Sequence, residues 1–122
     1  TRIPGTMSLP EPTPPDLLGT WTGTMNGNDK GIGFNPHTGG VMVLAVTEQR
    51  GRIFAGNITI TEGTTTWAES FAGTIGRDGR MLTIIEESGY GTGKILSPDE
   101  MEFVYANDGT GFSISIDSLR KS

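Results

Sequence analysis

Short segments in which apolar and polar residues alternate cover most of the chain from residue 17 onward. Each segment is about 8 to 12 residues long and ends at a glycine, asparagine, aspartate or proline, which is typical of antiparallel strands joined by turns. The clearest alternation lies in the last segment, 111–119, where Phe112, Ile114 and Ile116 alternate with serines and an aspartate. The pattern therefore predicts β-strands rather than helices.

Eight such segments follow one another through short connections, at 17–26, 41–49, 52–61, 66–75, 80–88, 89–96, 100–106 and 111–119. Residues 27–40 form the longest irregular stretch and are predicted to be a loop. A meander of this kind either stays an open sheet with two exposed edges or closes on itself, and closure removes those edges. We predict an all-β fold, a single antiparallel up-and-down eight-stranded β-barrel, whose interior is wide enough for packed side chains or one small ligand.

The first 16 residues differ from the rest because they carry Pro4, Pro10, Pro12, Pro14 and Pro15 among serine, threonine and glutamate. Such a composition favours extended, solvated chain. We predict a disordered linker or tether at 1–16 and a β-barrel domain at 17–122. The chain starts at Thr1 rather than Met, so we expect a removed signal peptide or lipid-anchor segment and an extracellular or surface-tethered protein. A cytosolic protein with a floppy tail is the alternative.

The composition of the chain limits its size class and the kinds of partner that it can bind. A chain of 122 residues has room for one domain with one core. Its net charge of -5 and pI near 4.7 make it acidic and disfavour nucleic acid, which requires clustered lysine and arginine. There is no apolar run of about 18 residues that would predict a transmembrane segment. Cysteine is absent, which excludes disulfides and thiolate chemistry.

The first strand carries a resemblance to a known group. Gly19, Thr20 and Trp21, after a proline-rich leader and before an eight-strand meander, resemble the opening of avidin and streptavidin-type barrels and, more loosely, of lipocalins. The resemblance implies a barrel with a ligand site at its open end and, commonly, assembly into a homo-oligomer. The resemblance does not extend to biotin binding, because Gly23 and Gly27 stand where that family has polar residues that bind the ureido ring. The tryptophans that would sandwich biotin are also too few.

Aromatic side chains and one carboxylate are the candidate ligand contacts. Alternation assigns Trp21, Phe54, Trp67, Phe71, Phe103, Tyr105 and Phe112 to inward faces. They either line a pocket or fill the barrel, and glycines within the strands leave room for a neighbouring ring or a ligand. The predicted ligand-binding set is Trp21, Phe54, Trp67, Phe71, Glu86 and Tyr105.

The Glu86-Glu87 pair lies near the end of the fifth predicted strand. If that strand stays regular, one of the two carboxylates points into the lumen, where burial would raise its pKa. If the strand has already ended, both are solvated at the rim. His37 is the only histidine and is predicted to be a solvated loop residue. We predict no catalytic residue, no metal site and no cofactor.

Three functional classes follow. The first is a secreted or surface-tethered barrel that binds a small, partly apolar ligand without catalysis. The second is a structural or protein-interaction module with a filled barrel. The third is a small isomerase or cyclase that uses one lumen carboxylate. Cavity volume separates the first class from the second, and the third requires Glu86 or Glu87 inside the cavity.

Overall fold

A computed structural model describes residues 13–122, which form nine β-strands and no helix. The strands are β1 Gly19–Asp29, β2 Gly33–Asn35, β3 Val41–Arg50, β4 Ile53–Glu62, β5 Thr65–Ile75, β6 Met81–Glu86, β7 Tyr90–Ser97, β8 Glu100–Asn107 and β9 Ser113–Lys121. Most of the predicted linker, residues 1–12, lies outside the described part of the chain. The predicted all-β class is confirmed.

The eight long strands close into a barrel. Each pairs antiparallel with the next along the chain, and β9 returns to pair with β1, where Met25 lies opposite Asp117. The short strand β2 pairs only with the end of β1. Closure of the sheet leaves the long strands without a free edge. The predicted up-and-down eight-stranded meander is therefore confirmed.

The segment 27–40, predicted to be a loop, instead begins as regular strand. β1 continues to Asp29, and the chain reverses so that Gly33–Asn35 pairs back onto β1. Gly31 and Gly33 have φ values of 86° and 83°, a conformation that glycine adopts without a steric penalty. Because this reversal is rich in glycine, its sequence is typical of a loop, although the segment forms a small hairpin.

One end of the barrel is sealed by the residues that precede β1. Leu17 is buried there, and its carbonyl accepts a hydrogen bond from the indole Nε1 of Trp21 at 2.9 Å. The side chain of Gln49 bonds the same segment twice, accepting from the Leu17 amide and donating to the Pro15 carbonyl, both at 2.8 Å. We call this the closed end.

The half of the lumen next to the closed end is filled with apolar side chains. Phe54 packs edge-on against Phe71, with ring centroids 5.9 Å apart. The Phe54 ring also covers Gly73, where an added Cβ would come within 2.5 Å of it. The Phe103 ring covers Gly93 in the same way. Neighbouring rings thus occupy the space at these strand glycines, and no ligand is needed to fill it.

The last strand turns its apolar face outward. Leu119 lies opposite Gly23 on β1, and this pairing puts Asp117 and Leu119 inside the barrel. Ile114 and Ile116 therefore point to solvent. Phe112, predicted to face inward, is half exposed just before β9, and that prediction is wrong. The parity of β9 is set by its pairing with β1 and not by its own hydrophobic alternation.

Within residues 13–122 there is no helix of the length and apolar character needed to cross a bilayer.

Candidate ligand-binding cavity

The end of the barrel opposite Trp21 is open and contains a cavity of about 420 Å³. It lies among the last residues of β1, β4, β6 and β8 and the first residues of β3, β5 and β9. Its wall is formed by Met25, Asp29, His37, Met42, Ile60, Glu62, Trp67, Ala68, Glu69, Glu86, Ser88, Tyr105, Asn107, Ser113 and Ser115. A small void of about 10 Å³ continues below it toward Asp117. The volume lies in the range typical of small-molecule sites.

Part of the wall is apolar. Met25, Met42 and Ile60 line the cavity from three neighbouring strands, β1, β3 and β4. Trp67 stands beside Ile60 at the mouth and is 51% exposed. An exposed indole at the mouth of a cavity offers a ligand a large apolar contact surface at little conformational cost. This wall suits the hydrocarbon part of a ligand.

Glu86 forms part of the floor. It is the last residue of β6 and shares the inward face with Leu82 and Ile84. Its Oε2 atom is buried and has no hydrogen-bond partner. Burial, and then the negative charges of Glu69 and Asp117, raise its pKa to about 8. Glu86 is therefore largely protonated at neutral pH.

Glu87 points away from the lumen. It is exposed and accepts a hydrogen bond from the Ser70 amide at 2.9 Å. Of the two glutamates, the structure thus places Glu86 in the cavity. The strand stays regular long enough for this, because β6 pairs with β5 up to the Phe71–Glu86 pair.

Asp117 lies deeper and is only 2% exposed. Its Oδ1 atom accepts a hydrogen bond from the Ser115 hydroxyl at 2.8 Å. Burial raises its pKa to about 6, and the Ser115 hydrogen bond and the charge of His37 counteract part of that shift. A second carboxyl with a raised pKa therefore lies below Glu86.

A hydrogen-bonded chain joins Tyr105 to Glu69 along one side of the cavity. The Tyr105 hydroxyl lies 2.6 Å from Ser88 Oγ, which donates to Glu69 Oε2 at 2.9 Å. Because Ser88 gives its proton to Glu69, the Tyr105 hydroxyl is the donor to Ser88. Burial raises the pKa of Tyr105, the hydrogen bond that Ser88 can donate to the deprotonated Tyr105 oxygen counteracts that shift, and the nearby carboxylates, Glu86 first, add to it.

His37 lies at the mouth, partly buried, with its Nδ1 hydrogen-bonded to Glu62. Its backbone has a φ of 47°, and its amide donates to Asn35 Oδ1 at 3.0 Å. His37 lies in a loop, as predicted, but the prediction that it is solvated is wrong, because the β2 hairpin brings the loop back over the open end. The histidine is thereby placed next to the end of β4.

The six predicted ligand contacts separate into two groups. Trp67, Glu86 and Tyr105 line the cavity. Trp21, Phe54 and Phe71 are buried in the packed half and are absent from the cavity wall. The structure therefore brings only Trp67, Glu86 and Tyr105 together at the open end. Ligand binding by these residues stays a prediction.

Sequence reasoning missed the polar part of the wall. Asp29, Glu62, Glu69 and Asp117 all lie at or near the open end, although nothing local distinguishes them from solvated residues. The signal that could have found these residues is their position along the predicted strands. In a meander of antiparallel strands, polar residues with inward parity at alternate strand ends meet at one end of the barrel.

The cavity and the closed strand order define this molecule as a small antiparallel barrel with one sealed and one open end. That architecture is compatible with avidin-like and lipocalin-like barrels. A scan against protein-family models, a search of curated proteins and a search of solved structures each gave no significant match. The structure therefore shows the barrel architecture of this chain, and the comparisons assign it to no family.

Proposed function

We propose that this protein binds a small, partly apolar organic molecule in the cavity at the open end of the barrel, without transforming it. The observation that carries the proposal is the cavity of about 420 Å³ in a barrel whose other half is packed. A barrel that served only as a rigid scaffold would gain stability by filling this space with side chains.

The distribution of groups in the cavity supports binding. An apolar wall with Trp67 at the mouth meets a floor with Glu86, Asp117 and Tyr105. Small-molecule sites typically combine a mainly apolar lining with a few polar groups that orient the ligand. The extracellular or surface-tethered location expected from the leader is part of the same proposal.

The isomerase or cyclase alternative required a carboxyl group in the lumen, and Glu86 meets that requirement. We rank it below binding because one buried carboxyl and an apolar wall serve a binding site equally well and specify no reaction.

The experiment that tests binding is native mass spectrometry of the protein purified without denaturation from its own source. We expect a retained small molecule, seen as a mass adduct that is lost on collisional activation. Ser113→Trp, which places an indole in the cavity wall, should abolish the adduct. Ser118→Trp, on the exposed outer side of the same strand, should retain it. A protein that carries no adduct and binds no member of a small-molecule library would contradict the proposal.

A second candidate function, self-association, is favoured by an apolar band on the outside of the barrel. We define the apolar band by Tyr90 on β7, Val104 on β8, and Ile114 and Ile116 on β9, with Ile85 beside it on β6; all are exposed. Val104 lies directly opposite Ile116, and Ile85 opposite Tyr90. Contiguous exposed apolar surface of this kind is typical of interfaces.

We propose a second copy of this chain as the partner of the apolar band. Its border carries both signs of charge, Lys94 opposite Glu102 and Arg120 opposite Glu100. A copy related by a two-fold axis can therefore meet each sign with its opposite, which a partner of one sign could not.

A further inference from the structure

The charged side chains in the wall of the cavity that we propose as a binding site are almost all acidic. Among the described residues, four carboxyl groups line its wall, and that of Asp117 lies just below. The four are Asp29, Glu62, Glu69 and Glu86. No lysine or arginine belongs to that wall, and its one histidine, His37, is already hydrogen-bonded to Glu62. The missing counter-charge has to come from solvent or from a ligand.

The existing hydrogen bonds show where a ligand donor is needed. Glu62 is bonded to His37, Glu69 accepts from Ser88, and Asp117 accepts from Ser115. Glu86 Oε2 is left buried without a partner. A buried carboxyl oxygen without a donor is costly, and a ligand that supplies a donor removes that cost.

The arrangement favours an organic ion over a metal ion. Within residues 13–122 no three histidine, aspartate or glutamate side chains lie close enough together to hold one metal ion. Met42, Ile60 and Trp67 line the same space as the acids, and a bare metal ion would leave that apolar surface without a contact. A cation attached to a hydrocarbon body satisfies both sides.

We propose that the ligand of this cavity is a small organic amine, bound as its ammonium ion with the nitrogen against Glu86 and the hydrocarbon part against Met42, Ile60 and Trp67. This inference rests on the proposed binding function and specifies the chemical class of its ligand. An N–H donor meets the partnerless Oε2 atom, and the positive charge offsets the surrounding carboxylates. The exposed indole of Trp67 adds an aromatic face for the cation or for its hydrocarbon body.

Binding of such a cation is coupled to a proton. Three titratable groups face Glu86 from three other strands of the barrel, Glu69 on β5, Tyr105 on β8 and Asp117 on β9. The remaining charged groups, Asp29, Glu62 and His37, lie toward the mouth. With a pKa of about 8 in the empty cavity, Glu86 must lose its proton when an ammonium ion binds. A primary ammonium has a pKa of about 10.4 and keeps its charge throughout this range.

The test uses primary amines with straight, branched and cyclic hydrocarbon bodies, each paired with the alcohol and the carboxylic acid of the same body. Binding is measured by isothermal titration calorimetry at pH 6.5 and 8.5. We expect at least one amine to bind about tenfold or more tightly than its alcohol, and the acid not to bind. The amine affinity should rise about 25-fold from pH 6.5 to 8.5, because the ionised fraction of Glu86, whose pKa is about 8, rises by that factor. The alcohol should show no such dependence.

Two variants identify the responsible group. Glu86→Gln should abolish the preference for amine over alcohol and the pH dependence, while Glu87→Gln, outside the lumen, should retain both. Equal binding of amine and alcohol in the wild type would overturn the amine assignment and leave the binding function standing. Failure of every amine would also overturn it. The proposed binding function is contradicted by a different result, in which neither these probes nor the native mass spectrum reveals any ligand. Calcium and magnesium chloride serve as a further arm, and saturable binding of either ion would favour a metal site instead.

Discussion

Glu86 links the stability of this protein to pH. Its pKa rises from 4.5 to about 8 on folding, mainly because the carboxyl is buried. The folded state therefore binds this proton more tightly than the unfolded state does. The resulting stabilisation is fully present below pH 4.5 and is lost as the pH rises to about 8. Asp117 acts in the same direction between 3.8 and about 6, so Glu86 dominates above pH 6.

We expect the melting temperature of the wild type to fall by about 5 °C between pH 6 and 8. Glu86→Gln removes the titrating group, and its melting temperature should be nearly constant over that interval. Differential scanning calorimetry or circular dichroism provides the measurement. Glu87→Gln is the matched control and should show the wild-type slope. A wild-type slope in Glu86→Gln would mean that another group titrates.

At the residue scale, alternation limited the choice to Glu86 or Glu87 but left it open. The register of β6 against β5 decided it, since Phe71 and Glu86 are paired and both lie on the inner face. The raised pKa of Glu86 comes first from burial inside the closed barrel and then from Glu69 and Asp117, which lie on two other strands. No local sequence signal could have supplied them.

At the scale of single strands, close packing decides what each glycine tolerates. A Cβ at Gly73 would lie 2.5 Å from the buried Phe54 ring, whereas one at Gly111 meets nothing within 4 Å. We expect Gly73→Ala to destabilise the protein by about 1–3 kcal/mol through overpacking. Gly111→Ala should change the free energy of unfolding by less than about 1 kcal/mol. Urea denaturation measures both, and equal effects would contradict this account of the core.

The strand limits show how far alternation alone can be used. β3 to β8 were predicted to within a few residues, because each has inward apolar side chains and a turn at both ends. β9 has the cleanest alternation, but Ser113, Ser115 and Asp117 point inward. The reason is that β9 contributes to the cavity, where polar side chains have neighbours to bond, as Ser115 and Asp117 do.

At the scale of the whole molecule, the apolar band predicts a dimer. Size-exclusion chromatography with light scattering should give about twice the 13.0 kDa chain mass. Ile116→Glu places a charge in the band and should give a monomer with a wild-type circular dichroism spectrum. Thr61→Glu, on the exposed face of β4 on the far side of the barrel, should remain a dimer. A wild type that is monomeric at high micromolar concentration would rule out self-association through this surface.

The sequence by itself determined the eight long strands and their order, and favoured the closed barrel over an open sheet. These features follow from local alternation, turn residues and the cost of free sheet edges, all of which can be seen along the chain. It also determined that an aromatic-rich lumen would contain Trp67 and Tyr105.

Only the tertiary structure decided which half of the lumen is packed and which is open. Leu17 and Trp21 seal one end through contacts with β3, and the β2 hairpin carries His37 to the other end. The acids of the cavity come from five strands, β1, β4, β5, β6 and β9. Their proximity is a product of strand register, which no single segment of the sequence encodes.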